Sequence, residues 1–242
     1  MKIVLPVAGR GTRFEPMTNC MPKCLVHVRQ KPLALWALEC LDWRPADVVL
    51  VANERERSQL DTAFDSIFGR ACVRVWTPDT AGAPHTVMKA MEFIDSAEEL
   101  LIITPDLLWA ADLDALRNSD ADAGLVCSTK PQTEPVELQR RYSYCALDAE
   151  DRVHKVVEKP HDPSDMPFAN VGVYWWRHGS DFVRLARAYL HNAGGVNGER
   201  YIAPIYNLAI AGGMVVRTVE ATDYYNLGSA ERCAAFEGWG TC

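Results

Sequence analysis

Short apolar runs alternate with amphipathic segments along the first half of the chain. Unbroken apolar runs of about four to eight residues are typical of strands buried on both faces of a parallel sheet. Segments whose apolar residues recur every three or four positions indicate helices. The predicted strands cover residues 2–8, 48–53, 73–77, 100–104 and 123–129, and the predicted helices cover 33–41, 55–67, 82–94 and 110–118. This alternation predicts an α/β fold with a doubly wound, mostly parallel, Rossmann-like sheet.

The second half of the chain has a different pattern. Two alternating segments on either side of residues 149–151 predict a hairpin, which is followed by a mixture of strands and helices. The predicted strands are residues 142–148, 154–160, 168–176 and 214–221, and the predicted helices are 180–190 and 200–210. Because the sequence shows neither repeats nor a linker-like stretch, we expect a single domain over residues 1–242 with a mixed second half.

The chain has 242 residues and a formal net charge of −7, and this charge is unevenly distributed. Residues 1–31 carry six basic side chains and one acidic side chain, so this segment is +5 and the remainder is −12. A basic island in an acidic protein indicates a local anion site rather than a nucleic-acid-binding surface. The apolar runs are too short to span a membrane and no signal peptide is evident, so we expect a cytoplasmic protein with no membrane partner.

Eight cysteines are scattered along the chain without a CxxC pair, which argues against a disulfide framework and the usual zinc spacings. Cys20, Cys24 and His27 are close enough in sequence to share a metal ion, but no fourth ligand is evident nearby. We therefore expect reduced thiols that serve as small apolar residues.

A glycine-rich turn directly follows the first predicted strand. Gly9 and Gly11 allow backbone N–H groups to approach an anion, because no Cβ atom obstructs them. Arg13 offers a planar fork suited to phosphate oxygens, and Lys23 offers a point charge. Phe14 stands where a dinucleotide fingerprint needs its third glycine, and the Gly-Lys-Ser/Thr of a P-loop is absent. The segment therefore predicts a phosphate site of another kind.

Six segments carry a family resemblance across almost the whole chain. They are VAGRGTRF (7–14), PKCLVHVRQKPLALWAL (22–38), VEKP (157–160), NVGVYWWRHGSDF (170–182), NGERYIAPIYNLAI (197–210) and YYNLGSAERCAAF (224–236). In this order they resemble the sugar-1-phosphate nucleotidyltransferases, also called nucleotide-sugar pyrophosphorylases. The later segments are most similar to a bacterial surface-polysaccharide branch with cytidylyltransferase-like members, some of which act on phosphorylated compounds other than hexoses.

The resemblance implies an enzyme that couples a nucleoside triphosphate to a phosphorylated small molecule and releases pyrophosphate. Residues 1–130 would bind the triphosphate, and residues 131–242 would bind the acceptor. CTP is favoured on branch resemblance alone, and other pyrimidine triphosphates stay open. The product would serve as a precursor for surface polysaccharides such as a capsule. Magnesium is the implied cofactor, and the resemblance leaves a homodimer open.

Site residues follow from the same motifs. Arg13 would hold the leaving phosphates and Lys23 would sit at the α-phosphate, so both are expected to be catalytic. The expected nucleotide-binding residues are Ala8, Gly9, Gly11, Thr12, Thr80, Gly82 and Ala83, and the expected acceptor-binding residues are Glu158, Lys159, Asn170 and Gly172.

A magnesium site is expected at Asp106, which follows the apolar run LLIITP at the end of a predicted central strand. A hard carboxylate in that position suits a metal ion that bridges phosphates, so Asp106 is the third expected catalytic residue. The family often has a second aspartate where this chain has Asn226. An amide oxygen is a weak ligand, so a site with two carboxylates would need Asp223 or Glu199 as a substitute.

Two rival functions stay open. Asp112 and Asp114 form a nominal DxD motif, which would suit a glycosyltransferase that consumes a nucleotide-sugar, although they fall in a predicted helix. Asn226 makes a non-catalytic nucleotide-binding regulator conceivable. Tyr201 and Asn207 are interpreted as helix-packing residues. Tyr174, Trp175 and Trp176 alternate across one strand, so some belong to the core and one could stack on a substrate.

Overall fold

The computed structural model describes residues 1–15, 21–192 and 199–237 of the chain. Cys20 of the considered metal cluster lies outside these residues. The strands are β1 (Lys2–Pro6), β2 (His27–Val28), β3 (Lys31–Pro32), β4 (Val48–Asn53), β5 (Val73–Thr77), β6 (Leu100–Ile103), β7 (Leu107–Ala111), β8 (Ala123–Ser128), β9 (Ser143–Leu147), β10 (Val153–Glu158), β11 (Phe168–Trp176) and β12 (Val216–Asn226). The helices are α1 (Leu33–Trp36), α2 (Arg57–Phe68), α3 (Ala83–Met88), α4 (Met91–Ile94), α5 (Leu113–Arg117), α6 (Val136–Gln139), α7 (Gly179–Asn192), α8 (Ile205–Ala211) and α9 (Ala230–Glu237).

A large sheet runs through the described residues in the order β5-β4-β1-β6-β11-β8-β12-β7, with β9 and β10 added beside β11. The strands β5, β4, β1 and β6 are parallel neighbours. The reversed strand β11 lies between β6 and β8, and β12 then pairs parallel to β8. Most of the central strands therefore run in one direction, which confirms the predicted α/β class with a mixed second half.

Each face of this sheet carries its own apolar core. On β1, Ile3 and Leu5 point into the first core, where they join α2 and α5. Val4 points into the second core, which contains residues of α3, α4, α7 and α8. Successive side chains of a strand point to opposite faces, so a strand covered on both sides must be apolar at every position. The unbroken apolar runs of the first half reflect this double cover.

Three predicted elements differ from the structure, and one helix was not predicted. The first predicted helix stops after α1, and i→i+3 turns continue it as far as Leu41. Residues 107–111 form a strand rather than the start of a helix, because β12 extends to Asn226 and pairs with them. The helix predicted from residue 200 begins only after Pro204. Helix α9, which was not predicted, packs against β2.

No helix in the described part of the chain is both long enough and apolar enough to cross a lipid bilayer.

Candidate active site

Two cavities open at the carboxyl ends of the parallel strands, where open α/β sheets bind their ligands. The smaller, about 470 Å³, lies between the loop after β1 and the loop before α3. The larger, about 740 Å³, lies between the loop after β6 and the ends of β9, β10, β11 and β12. Glu199 lines both. The two cavities are therefore neighbours with a shared wall.

The glycine loop forms one wall of the smaller cavity. Ala8 and Gly9 line it, and a Cβ added to Gly9 would meet only open space. Gly11 adopts the left-handed conformation, with φ 65°, and starts a short 3₁₀ turn over residues 12–14. That turn directs Arg13 into the larger cavity. Gly11 and Thr12, both expected at the nucleotide, line neither cavity and instead shape the turn.

The opposite wall of the smaller cavity is formed by the loop before α3. Thr80, Gly82 and Ala83, three of the expected nucleotide-binding residues, all line it. Gly82 has φ 112°, and its backbone forms a bridge with Arg200. A Cβ at this position would collide with the Arg200 carbonyl, so only glycine fits here. The close approach brings residues 199–201 to the nucleotide side of the site.

An ion-pair cluster joins the two walls at the rim of the smaller cavity. Asp79 accepts hydrogen bonds from Arg10 at 2.6 Å, from Asn53 at 2.8 Å and from Arg55 at 2.7 Å. The hydrogen bond from Arg10 is the largest cause of the lowered pKa of Asp79. Because Arg10 lies in the glycine loop, this contact ties that loop to the facing one.

Lys23 and Asp106 form an ion pair of 2.5 Å at the base of the larger cavity. Burial alone would raise the pKa of Asp106, but the neighbouring charges of Lys23 and Arg13 hold it below its usual value. Asp106 and Arg13 line the cavity, whereas Lys23 does not. In this arrangement the Lys23 ammonium supports the carboxylate, and Arg13 forms no ion pair within the described part of the chain.

Asp106 and Asn226 present oxygen atoms to one point beside Gly228. A Cβ added to Gly228 would lie 2.8 Å from Asn226 Oδ1 and 3.1 Å from Asp106 Oδ2, so the glycine leaves a gap between the two oxygens. Mg²⁺ prefers oxygen ligands and often uses one carboxylate together with substrate phosphates. These two oxygens would give a magnesium ion one carboxylate and one amide ligand, but Asp106 Oδ2 also accepts from Lys23 and Arg13 Nη1 lies 3.7 Å from the same point. Asp223 offers no second carboxylate, because it lies on the exposed side of β12 near Lys130.

A hydrogen-bonded network holds the Asn226 side chain. Asn226 Nδ2 donates to the Tyr142 hydroxyl at 3.0 Å, and that hydroxyl donates to Glu134 at 3.2 Å. Arg232 donates to both Glu134 oxygens, at 3.2 and 2.7 Å. Because the Tyr142 hydroxyl holds the amide nitrogen of Asn226, the amide oxygen is directed toward Asp106. It accepts a hydrogen bond from Gly228 N at 2.8 Å. Neither Tyr142 nor Arg232 was predicted as a site residue from the sequence.

All four expected acceptor-binding residues line the larger cavity. Burial is the main cause of a raised Glu158 pKa, which reaches about 7. Gly172 has φ 99° and approaches Thr104 so closely that a Cβ would collide with its hydroxyl. Asn170 is only 3% exposed, and its amide is bonded to Val126 O, Val173 O and Gly172 N. The Asn170 side chain thus shapes an irregularity in β11 rather than reaching into the cavity.

Lys159 and Tyr201 are in direct contact at the wall of the larger cavity. Lys159 Nζ donates to the Tyr201 hydroxyl, and that hydroxyl donates to Glu199. The interpretation of Tyr201 as a helix-packing residue is therefore wrong: Tyr201 precedes α8 and lines the cavity. No local pattern could reveal this, because Lys159 and Tyr201 are 42 residues apart in the sequence.

Of the remaining candidate residues, only Tyr174 lines either cavity in the described part of the chain. Tyr174 lines the larger cavity, whereas Trp175 and Trp176 are buried in the core. Asn207 fastens α8 to β10 through Val156, as expected of a packing residue. The other residues considered are placed as follows: Asp112 caps α5, Asp114 pairs with Arg117, Cys24 is buried in the core and His27 is exposed.

A doubly wound sheet with neighbouring cavities at the carboxyl ends of its strands defines an α/β ligand-binding protein of the nucleotide-binding kind. The chain belongs to the nucleotidyl transferase family, whose model matches residues 2–214. This confirms the family resemblance found in the motifs.

Sequence relatives include two UTP–glucose-1-phosphate uridylyltransferases. That of Haloferax volcanii is 25% identical over 168 residues, covering 67% of each chain. That of Komagataeibacter xylinus is 27% identical over 203 residues, covering 69% of this chain and 68% of the relative. A glucose-1-phosphate thymidylyltransferase of Streptomyces griseus is 27% identical over 182 residues, which cover 72% of this chain and 48% of the relative. The chain thus spans about half to two thirds of these relatives.

Solved structures share the fold over nearly the whole chain. A UDP-glucose pyrophosphorylase in complex with UDP-glucose superposes with a TM-score of 0.77 at 20% identity, covering 98% of this chain and 96% of the other. The UDP-glucose pyrophosphorylase from Acinetobacter baumanii gives a TM-score of 0.73 at 19% identity, with coverages of 98% and 91%. These similarities establish the α/β architecture.

Proposed function

We propose that the protein transfers a nucleotidyl group from a pyrimidine nucleoside triphosphate to a sugar 1-phosphate or another phosphorylated small molecule, with release of pyrophosphate. The observation that carries this proposal is the pair of cavities that share Glu199. One is walled by the glycine loop and suits a nucleotide, and the other holds Arg13, Asp106 and Lys159. Two phosphorylated substrates could therefore meet side by side.

The proposed reaction requires positioned substrates and positive charge near their phosphates rather than a nucleophilic side chain. An oxygen of the acceptor phosphate forms a bond to the α-phosphorus, the bond from that phosphorus to the bridging oxygen breaks, and pyrophosphate leaves with the electron pair. Arg13 would stabilise the charge of the departing pyrophosphate, and Lys159 would hold the attacking phosphate in line. A magnesium ion held by Asp106 and Asn226 would, when bound, neutralise further phosphate charge.

The nucleotide and the biological role are finer parts of this proposal. The names of the relatives described above support UTP and dTTP as pyrimidine nucleotides, and none of the three mentions CTP. The CTP preference drawn from branch resemblance stays a prediction. So do the supply of surface-polysaccharide precursors, the cytoplasmic location and the homodimer. Neither Asp112 nor Asp114 lines either of the two cavities described above, so these cavities give no support to the rival glycosyltransferase.

A pyrophosphate-release screen tests the proposal. CTP, UTP, dTTP, GTP and ATP are each combined with glucose 1-phosphate and a panel of other phosphorylated acceptors in the presence of Mg²⁺. We expect release with at least one pyrimidine triphosphate, and a loss of about a hundredfold in Arg13→Ala. The matched control is Arg70→Ala, whose side chain is 92% exposed and lines neither cavity. Nucleotide-induced thermal stabilisation with no pyrophosphate from any pair would instead identify a regulator.

A further inference from the structure

Lys159 is held in an unusual way for a cavity-lining cation. Its ammonium donates to the Tyr201 hydroxyl and lies 4.1 Å from the centre of the same ring. A phenol oxygen and an aromatic face both attract a cation without neutralising it. Two carboxylates, Glu158 and Glu199, line the same cavity, yet neither forms an ion pair with Lys159 in the described part of the chain.

The backbone of Lys159 is adapted to this contact. Its φ is 48°, in the left-handed region that residues with a side chain seldom adopt. Its backbone N–H donates to the Tyr142 carbonyl at 3.0 Å, which fixes the turn at the end of β10. Strained backbone positions persist where surrounding contacts hold them, and they concentrate at functional sites.

The Tyr201 hydroxyl has a fixed direction. A phenol carries a single hydrogen, and here that hydrogen is donated to Glu199. The lone pairs of the oxygen are consequently left to face Lys159. Burial and the neighbouring Glu199 both raise the pKa of Tyr201, so the hydroxyl keeps its proton at neutral pH. Glu199, which accepts this hydrogen, also lines the smaller cavity, which is proposed to bind the nucleotide.

We infer that Tyr201 is a positioning residue for the reaction: it holds the Lys159 ammonium at the acceptor cavity by a neutral contact, so that the positive charge stays available for the acceptor phosphate. This inference rests on the proposed function, because Lys159 is taken to bind that phosphate. Without the hydroxyl, Lys159 would be free to turn toward Glu158 or Glu199, and its charge would be neutralised.

The first test uses the protein alone. Lysines are acetylated with limiting acetic anhydride in the wild type and in Tyr201→Phe, and the modified peptides are quantified by mass spectrometry. Lys155, exposed and four residues earlier on β10, is the internal reference. We expect Lys159 to react more slowly than Lys155 in the wild type, and the ratio of Lys159 to Lys155 labelling to fall several-fold further in Tyr201→Phe, because a Lys159 ammonium paired with a carboxylate is less available to the reagent than one held by a neutral hydroxyl. An equal or a higher ratio in Tyr201→Phe would overturn the inference.

The second test measures turnover with the substrate pair found by the pyrophosphate screen. Tyr201→Phe should raise the acceptor KM about tenfold and leave the nucleotide KM within about twofold, with an unchanged thermal midpoint. An unchanged acceptor KM, or an equal rise in both KM values, would overturn the positioning role. A wild-type protein that releases no pyrophosphate would overturn the proposed function instead, and the labelling ratio would still decide the Lys159–Tyr201 contact.

Discussion

Glu158 is a carboxylate that the folded protein holds at a cost in stability. It lies at the end of β10 in the wall of the larger cavity. Burial is the main reason that its pKa rises from 4.5 to about 7, the neighbouring Lys159 charge lowers it, and Glu199 raises it further. Replacing Glu158 with glutamine removes the titration while keeping a polar side chain of nearly the same size.

The magnitude follows from the two pKa values. A change from 4.5 to about 7 corresponds to about 3 kcal/mol of free energy of unfolding. Below pH 4.5 both folded and unfolded chains are protonated at this group, so nothing is lost. As the pH rises toward 7 the folded chain keeps a proton that the unfolded chain has released, and stability falls; above pH 7 the loss is complete. Glu158→Gln should therefore exceed the wild type by up to about 3 kcal/mol at pH 8, and by less than about 1 kcal/mol at pH 5.

Urea unfolding of the wild type and Glu158→Gln between pH 5 and pH 8 measures this difference. The other ionisable groups are common to both proteins, so their contributions cancel in the comparison. Glu92→Gln, on an exposed position of α4, serves as the control for the same substitution outside the cavity. If the wild type and Glu158→Gln differ by the same amount at pH 5 and at pH 8, the reasoning about the buried carboxylate is refuted.

Three further predictions concern the two cavities. Gly82→Ala should raise the nucleotide KM at least about tenfold in steady-state kinetics, because its Cβ would push against Arg200. The control for backbone strain alone is Gly213→Ala, because Gly213 also has a positive φ but has open space around an added Cβ. Asp106→Asn should abolish binding of Mn²⁺ to the protein–nucleotide complex, followed by electron paramagnetic resonance, and lower turnover about a hundredfold; unchanged Mn²⁺ binding would exclude Asp106 as the ligand. Tyr142→Phe should weaken the same Mn²⁺ binding about tenfold or less, since it frees the Asn226 amide to rotate without removing a ligand.

Much of the fold could be predicted because its first half is covered on both faces. Strands such as β4, buried at every position, produce apolar runs that allow few other interpretations. The segment LLWAA of β7 has no such distinction and suits a helix equally well. It becomes a strand through pairing with β12, in which Leu107 lies opposite Asn226. Because the partner strand β12 is more than a hundred residues away in the sequence, its pairing does not affect the local periodicity of β7. This strand could therefore not be predicted.

The candidate site shows the same division between local and distant causes. The glycine loop was identifiable because the residues that shape it are adjacent in sequence. The family resemblance implied that Asn170 would face the acceptor. The structure instead uses its amide to satisfy backbone groups of β8 and β11 around a positive-φ glycine. Polarity alone cannot distinguish a ligand contact from an internal one, because both satisfy the same hydrogen-bonding requirement.

The cations around the two cavities differ in what holds them, and this difference assigns them different roles. Lys23 is paired one to one with Asp106, so it contributes little net charge to its surroundings, whereas Arg10 shares Asp79 with Arg55 at the smaller cavity. Lys159 rests on a neutral hydroxyl, and Arg13 forms no ion pair in the described residues. The positive charge available to phosphates in the larger cavity therefore comes from Arg13 and Lys159, together with Arg141, which also lines this cavity and forms no ion pair in the described residues. Lys23 acts indirectly, through the Asp106 carboxylate that it neutralises. Its loss would leave that carboxylate with only the Arg13 charge to compensate it.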